Sequence, residues 1–340
     1  MPGALTANLR STVGALAEAS ASTALDRLDG ATLLTERAEL TGWKAAATVS
    51  AGGSCRLLEC GNGEEGKKDT KEWIAVNLAR ADDWRSLDAW LDAAGPWDWP
   101  QVALAVAQKP AAGLLERAAL LGMAVAAVAA SEDTRPKWTV PVPSSRVGRP
   151  RVLDLSSLWA GPLAARLLRL AGAQVTKIES SGRPDGARLG DPRFYRLLNE
   201  GKAEVSLDLG SSEGRNELLR LIGQSDIVIE SSRPRAMKQL GIDVEELVAA
   251  RPGLSWISIT GYGRSGKDGA RVAFGDDAGA AAGLADLMGK LNDSVPLFCG
   301  DAIADPLTGT CAALAAQAAW ARGGGLVELP LSTTTAAMLG

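Results

Sequence analysis

The stretch that decides the fold opens with Arg151-Val152-Leu153-Asp154-Leu155 and continues, after an intervening segment, with Gln174-Val175-Thr176-Lys177-Ile178-Glu179. Both are short apolar runs of strand character. Residues 162–170 between them have helix character, with Pro162 in a first-turn position. The alternation continues: a helical segment at 212–222 precedes the strand Asp226-Ile227-Val228-Ile229-Glu230, and one at 243–250 precedes a strand at 254–260. This order predicts an α/β fold, a parallel sheet with helices on both faces. Ligands of such sheets sit beyond the carboxyl ends of the strands. The loops at 156–161, 180–188, 231–235 and 261–266 are therefore the places to look for function. Gly261-Tyr262-Gly263-Arg264-Ser265-Gly266 has the letters of a dinucleotide-binding loop, but Gly269 and Arg271 give no helix after it, so it reads as a turn.

Toward the N-terminus the composition shifts. Seven of the ten tryptophans precede residue 140: Trp43, Trp73, Trp84, Trp90, Trp97, Trp99 and Trp138. A proline-rich run, Thr139-Val140-Pro141-Val142-Pro143, follows and extends to Pro150. Proline lacks the N–H donor and favours extended chain. The expected division is a small α+β domain with connecting segments at 1–140, a linker at 141–150, and a Rossmann-like large domain at 151–340. Within the first part, residues 55–59 and 73–78 read as paired strands, and the polar residues at 61–72 read as a solvated hairpin loop rather than a binding patch. A helix starting at Asp82 turns Trp84, Leu87, Trp90 and Leu91 to one face. Another at 111–121 ends at Gly122. The tryptophans read as core rather than as a ligand cage.

The chain has 340 residues, 46% of them apolar and 22% charged, with a net charge of −4. That suffices for one large domain or two ordinary ones with a normal core. No basic field of the kind that binds nucleic acid is visible. Cys55, Cys60, Cys299 and Cys311 are too few for a disulfide scaffold and lack paired CxxC spacing, so no metal site is expected. No basic-then-apolar leader opens the sequence, and Glu116 and Arg117 interrupt the most apolar run, 114–130. A soluble cytoplasmic protein without a membrane span is expected. The histidine count is zero. This excludes a Ser-His-Asp triad, a Cys-His pair, an HExxH zinc site and any histidine base. Carboxylates, Lys, Cys and two Tyr are left to carry chemistry.

Val152-Leu153-Asp154-Leu155-Ser156 with Ala160-Gly161-Pro162 resembles the opening strand and loop of the class III CoA-transferases, the CaiB/BaiF type that includes formyl-CoA transferase and the α-methylacyl-CoA racemases. Later motifs agree in order. Gly172-Ala173-Gln174-Val175-Thr176-Lys177-Ile178-Glu179 is similar to the family's GAxVxKxE strand, and Leu198-Asn199-Glu200-Gly201-Lys202 to its LNRGK turn. Arg233-Pro234 with Met237 and Leu240-Gly241 resembles RPGxMxRLG, and Ser258-Ile259-Thr260-Gly261-Tyr262-Gly263 resembles SISGFG. The likeness covers about 150–340. Residues 73–77, Asp83-Trp84, 114–117 and 121–125 are more weakly similar to the family's small domain. That domain usually follows the large one; here it precedes it, which implies a permuted order. Family members form interlocked dimers, so the resemblance implies a homodimer.

The resemblance implies transfer of coenzyme A from an acyl-CoA to a carboxylic acid, with the CoA thioester as substrate and no permanently bound cofactor. One Asp attacks the thioester, a mixed anhydride forms, and the returning thiolate gives an enzyme-CoA thioester. A carboxylate is already ionised at neutral pH and needs no base, which suits a chain without histidine. Two positions compete for this role. The Gly300-Asp301 pair points to Asp301, whereas alignment on the following Ala/Leu-rich helix and Gly309 points to Asp305, which is preferred. Asp305-Pro306 also reads as a helix cap with no chemistry. Racemases of the family pair a GHD-turn His with the later Asp. Here Gly275-Asp276-Asp277 stands in that place, so Asp276 or Asp277 would act as base, or form a solvated turn. For CoA binding the resemblance implies Leu158, Trp159 and Ala160 along the pantetheine and adenine. It implies Asn199 and Lys202 at phosphates, with Ser231, Arg233 and Lys238 in the third loop, and Arg183 and Arg188 nearby. Polar-turn and surface roles stay open for these. The small residues at 278–283 suggest room for a bulky acyl chain. Three functions are carried forward: a CoA-transferase, a 2-methylacyl-CoA isomerase, and a non-catalytic acyl-CoA-binding protein.

Overall fold

The computed structural model describes residues 2–61, 71–130, 148–291 and 295–340. The loop expected at 61–72 and the linker expected at 141–150 lie almost wholly outside the described residues. Two sheets organise the rest. The first is antiparallel, with β1 (Cys55–Glu59), β2 (Trp73–Asn77) and β3 (Ala124–Ala127) in that order. The second has six strands: β4 (Arg151–Asp154), β5 (Gln174–Ser180), β6 (Ala203–Leu207), β7 (Ile227–Glu230), β8 (Ser255–Thr260) and β9 (Gly325–Pro330). Every neighbouring pair in it is parallel, and the order is β6-β5-β4-β7-β8-β9. The chain winds outward one way from β4 and the other way from β7. The crevice between their carboxyl ends is the topological switch point, where such sheets bind ligands.

Strand alternation sends side chains to two cores. Val152, Ile227, Ile229, Ile257 and Ile259 face one layer, and Leu153, Val228 and Trp256 face the other. The first layer is built on helix Ala304–Ala321, an almost continuous run of buried small residues. A Cβ at Gly309 would lie 2.5 Å from the Ala160 carbonyl oxygen, so glycine is what lets helix Ala160–Leu170 start against it. Helix Gly3–Ser20 buries Leu5, Leu9, Val13 and Leu16 in the same core, together with Leu33 and Leu34. The beginning of the chain thus packs with the large sheet. The sequence pattern predicted neither this helix nor β6 and β9: β6 is an edge strand with exposed Ala203, Glu204 and Ser206, and β9 begins after Gly323-Gly324.

The small sheet is covered on both faces. Ile74, Val76, Trp90, Val102 and Leu114 fill one side, and Trp90 donates its indole N–H to the Leu114 carbonyl at 2.9 Å. The helix expected from Asp82 is two short ones, Ala81–Arg85 and Leu87–Leu91, broken at Ser86. The other side receives helix Gly275–Ala281, where Ala280 packs with Cys55, Leu57 and Ala75. The small residues at 278–283 therefore serve close packing of helix on sheet, and the room expected there for an acyl chain is filled by protein. Residues 261–266 form a turn followed only by a short 3-10 helix, Asp268–Ala270. Among the described residues no helix is long and apolar enough to cross a membrane.

Candidate functional site

The loop after β4 bridges the switch point. The Ser157 N–H donates to the Ser231 hydroxyl of the loop after β7 at 3.1 Å. Leu158 holds a left-handed φ of 70°, unusual for a branched side chain, and is exposed. Asp185 fixes that conformation by accepting the Leu158 N–H at 2.9 Å. Beneath the loop lie two buried lysines. Lys177 Nζ donates to the Ser156 carbonyl at 2.9 Å and pairs with Asp185 at 2.9 Å. Lys202 Nζ donates to Asp154 at 2.8 Å and to the Pro162 carbonyl and Asn199 Oδ1 at 2.9 Å each.

This corrects the roles implied for Lys202 and Asn199. All three ammonium donors of Lys202 are taken inside the protein, and Asn199 is buried with it, so neither is free to hold a phosphate. Trp159 is also buried, edge-on to Phe194 at 5.0 Å, rather than exposed along a ligand. Arg188 is engaged with Glu179 at 2.7 Å and Glu204 at 2.9 Å. Arg233 differs. Burial pushes its pKa down, and the adjacent Arg235, Arg80 and Arg183 push it the same way. Among the described residues no carboxylate pairs with Arg183, Arg233 or Arg235. Guanidinium groups at the ends of β5 and β7 have the donor geometry and charge that suit an anion. Lys238 is exposed on the adjoining helix Pro234–Gln239.

The other end of the β4 loop meets a cluster of carboxyls. The Ala160 N–H donates to Asp305, which sits in the first turn of helix Ala304–Ala321. Ile303, not Asp305, is the residue ahead of that helix, and no side chain caps it, so the capping role is absent. Burial pushes Asp305 up to about 7; Arg37 opposes this, and Asp276 and Asp301 add to it. Asp276 accepts the Ala302 N–H at 3.0 Å, and burial with Asp301 nearby pushes it up to about 6. Asp276 is thus a member of the cluster rather than a solvated turn residue. Asp277 points away into the small sheet, where its Oδ1 accepts Asn77 Nδ2 and the Phe274 N–H, each at 3.0 Å. Burial pushes it up to about 7.

Asp301 is buried, and both of its oxygens are taken by Arg37. Arg37 is a residue that sequence reading missed: it lies far away in the chain and belongs to no motif. Beside Asp301 opens a pocket of about 320 Å³, lined by Leu34, Trp43, Lys44, Met288, Phe298 and Cys299, among others.

Residues 150–339 match CoA-transferase family III. The chain belongs to this family. Among similar proteins, the succinyl-CoA–D-citramalate CoA-transferase of Chloroflexus aurantiacus is 34% identical over 187 residues, covering 52% of this chain and 46% of that one. The succinate–glutarate CoA-transferase of Agrobacterium fabrum is 31% identical over 182 residues, covering 50% and 45%. A CAIB/BAIF family protein from Brucella suis superposes with a TM-score of 0.50 at 29% identity, covering 55% of this chain and 53% of that one. The chain spans about half the length of the curated relatives it matches. In CoA-transferase family III terms, the matched region contains Asp276, Asp301, Asp305 and the arginine loop. Arg37, Trp43, Asn77 and Arg80 come from outside it.

Proposed function

We propose that the protein transfers coenzyme A between an acyl-CoA and a carboxylic acid, with Asp305 as nucleophile. The observation that carries this reading is the Asp305 carboxyl, engaged in no ion pair among the described residues, at one end of the β4 loop, with arginines that no described carboxylate pairs at the other. CoA would lie along Ser157, Leu158 and Ala160, its phosphates toward Arg233, Arg183, Arg235 and Lys238, and its thioester at Asp305. The acyl group and the acceptor acid would occupy the pocket beside Trp43 and Phe298. Asp301 does not suit attack, because the guanidinium occupies both of its oxygens.

The reaction follows from these positions. An Asp305 oxygen attacks the thioester carbonyl, the C–S bond breaks, and CoA leaves as thiolate, giving a mixed anhydride. The thiolate then attacks Cγ of Asp305 and expels the donor acid as its carboxylate, leaving an Asp305–CoA thioester. The acceptor carboxylate attacks that thioester, thiolate leaves again, and its attack on the acceptor's acyl carbon releases acyl-CoA and restores Asp305. No step needs a histidine base. The expected quaternary state is a homodimer in the cytoplasm, with the small sheet ahead of the large one in the chain and residues 3–34 packed with the large sheet rather than with a small domain.

Intact-mass measurement with a panel of acyl-CoAs tests this. The wild type should gain the mass of CoA, Asp305→Ala should not, and a CoA adduct that persists in Asp305→Ala would overturn the assignment. A second reading is favoured by one observation: Asp276 and Asp305, raised to about 6 and about 7, could serve as an acid/base pair across a 2-methylacyl-CoA α-carbon. Exchange of the α-hydrogen with D2O, without any adduct, would select that isomerase reading. Neither adduct nor exchange would leave acyl-CoA binding alone.

A further inference from the structure

Arg37 lies in the short helix Glu36–Thr41, in the part of the chain that precedes the family match. Its guanidinium is held on several sides. Nε donates to Asp301 Oδ2 at 2.6 Å, and a terminal nitrogen donates to Asp301 Oδ1. The ring of Trp159 lies 4.3 Å from the guanidinium carbon, with Phe194 at 5.5 Å and Trp43 at 5.6 Å. A fork-like pair and a cation over aromatic faces both favour one fixed orientation. The helix itself is anchored, since Glu36 accepts two bonds from Arg166 of helix Ala160–Leu170 at 2.8 and 2.9 Å.

Three carboxyls surround this cation, each from a different piece of chain: Asp301 ahead of helix Ala304–Ala321, Asp305 within its first turn, and Asp276 from helix Gly275–Ala281. Backbone packing forces them together. A Cβ at Gly275 would lie 2.3 Å from Asp305 Oδ2 and 2.4 Å from the Ala302 carbonyl oxygen, and the Ala302 N–H bonds Asp276. Three carboxyls in low-dielectric surroundings repel one another as anions. Arg37 faces all three, and its charge is the largest influence that favours the Asp305 anion. Glu36, the acid adjoining it in its own helix, is already engaged with Arg166.

We infer that Arg37 is the electrostatic positioning residue of this site, a cation brought in from outside the family region and locked beside the Asp305 carboxyl by Asp301 and aromatic rings. The inference rests on reading Asp305 as the nucleophile and adds what makes it one. Attack on a thioester requires the anion. Burial, Asp276 and Asp301 all favour the neutral acid, and Arg37 opposes them. Locked as it is, Arg37 does not swing to the substrate. It acts through Asp305 and is not itself catalytic.

The test reads Asp305 directly, so it does not depend on turnover. Carboxyl 13C NMR of Asp-labelled protein, with Asp305 assigned by its loss in Asp305→Asn, gives its titration midpoint. In Arg37→Met that midpoint should rise by about one pH unit or more, and Arg37→Lys should return it most of the way. Arg37→Met leaves Asp301 buried without a partner. If it fails to fold, Arg37→Met with Asp301→Asn replaces it and is compared with Asp301→Asn alone, because Asp301 itself pushes Asp305 up; relative to that single variant the midpoint should rise. An unchanged midpoint in whichever variant folds overturns the inference. The adduct assay on the wild type separates the two failures: an upward shift without any CoA adduct condemns the transferase reading and leaves the electrostatic role standing.

Discussion

Gly275 sets how closely helix Gly275–Ala281 can approach the Asp305 carboxyl. The space a Cβ would need is already filled by Asp305 Oδ2 and the Ala302 carbonyl. Alanine suits a helix better than glycine, so Gly275→Ala should fold, yet it must push Asp305 or the Ala302 turn aside. Displacements of about 1 Å at reacting groups cost on the order of 100-fold in rate. We therefore expect adduct formation to slow by at least that factor and the melting temperature to fall, since the clash is partly with backbone, measured by timed intact mass at a temperature well below the variant's own melting point. A rate within about three-fold of wild type would show that the contact does not position Asp305. The carboxyls also set a pH dependence. In the proposed mechanism Asp305 attacks as the anion, and it is raised to about 7, so adduct formation in the wild type should rise as pH passes from about 6 to about 8.

At the scale of elements, the loop after β4 depends on what lies beneath it. Lys177 and Lys202 extend from β5 and from the turn ahead of β6 into a buried network with Asp154, Asp185 and Asn199. Two cations and two anions balance there. Removing one partner leaves a buried charge alone, which costs about 3–5 kcal/mol. Lys202→Met should lose stability of that order in urea unfolding, and adding Asp154→Asn should restore part of it. The motif letters around Asn199 and Lys202 were legible as a turn, but their role was not. A Lys next to a strand can face solvent or reach inward, and only the packing of Pro162 and Asp154 against its ammonium decides which.

For the whole molecule the buried acids bear on stability. Asp276, Asp277 and Asp305 are raised to about 6, 7 and 7, above their unfolded values near 4. Between those values the folded chain holds protons that the unfolded chain has released. These groups therefore make stability fall as pH rises from about 4 to about 7, and add no slope above or below that window. Asp277 is wholly buried and among the described residues its Oδ2 has no hydrogen-bond partner, so it contributes on the order of 4 kcal/mol across the window. Asp277→Asn should flatten the fall in melting temperature between pH 5 and 8. An equally steep fall in that variant would mean that Asp277 does not titrate there.

Much of this was determined by sequence alone. Strand runs alternating with helices specified the parallel sheet, because apolar periodicity and chain order are local properties. The absence of histidine left carboxylates as the nucleophiles within reach, because composition bounds chemistry. Ordered motifs singled out Asp276, Asp301, Asp305 and Arg233, and the structure brings the three acids into one cluster. Only the tertiary structure decided which acid is free. Asp301 is clamped by Arg37, and Asp305 is left beside the Ala160 N–H. That outcome depends on bringing residue 37 against residue 301 and helix Gly275–Ala281 against helix Ala304–Ala321. Such contacts are set by how helices pack around one core, and no spacing along the chain encodes them.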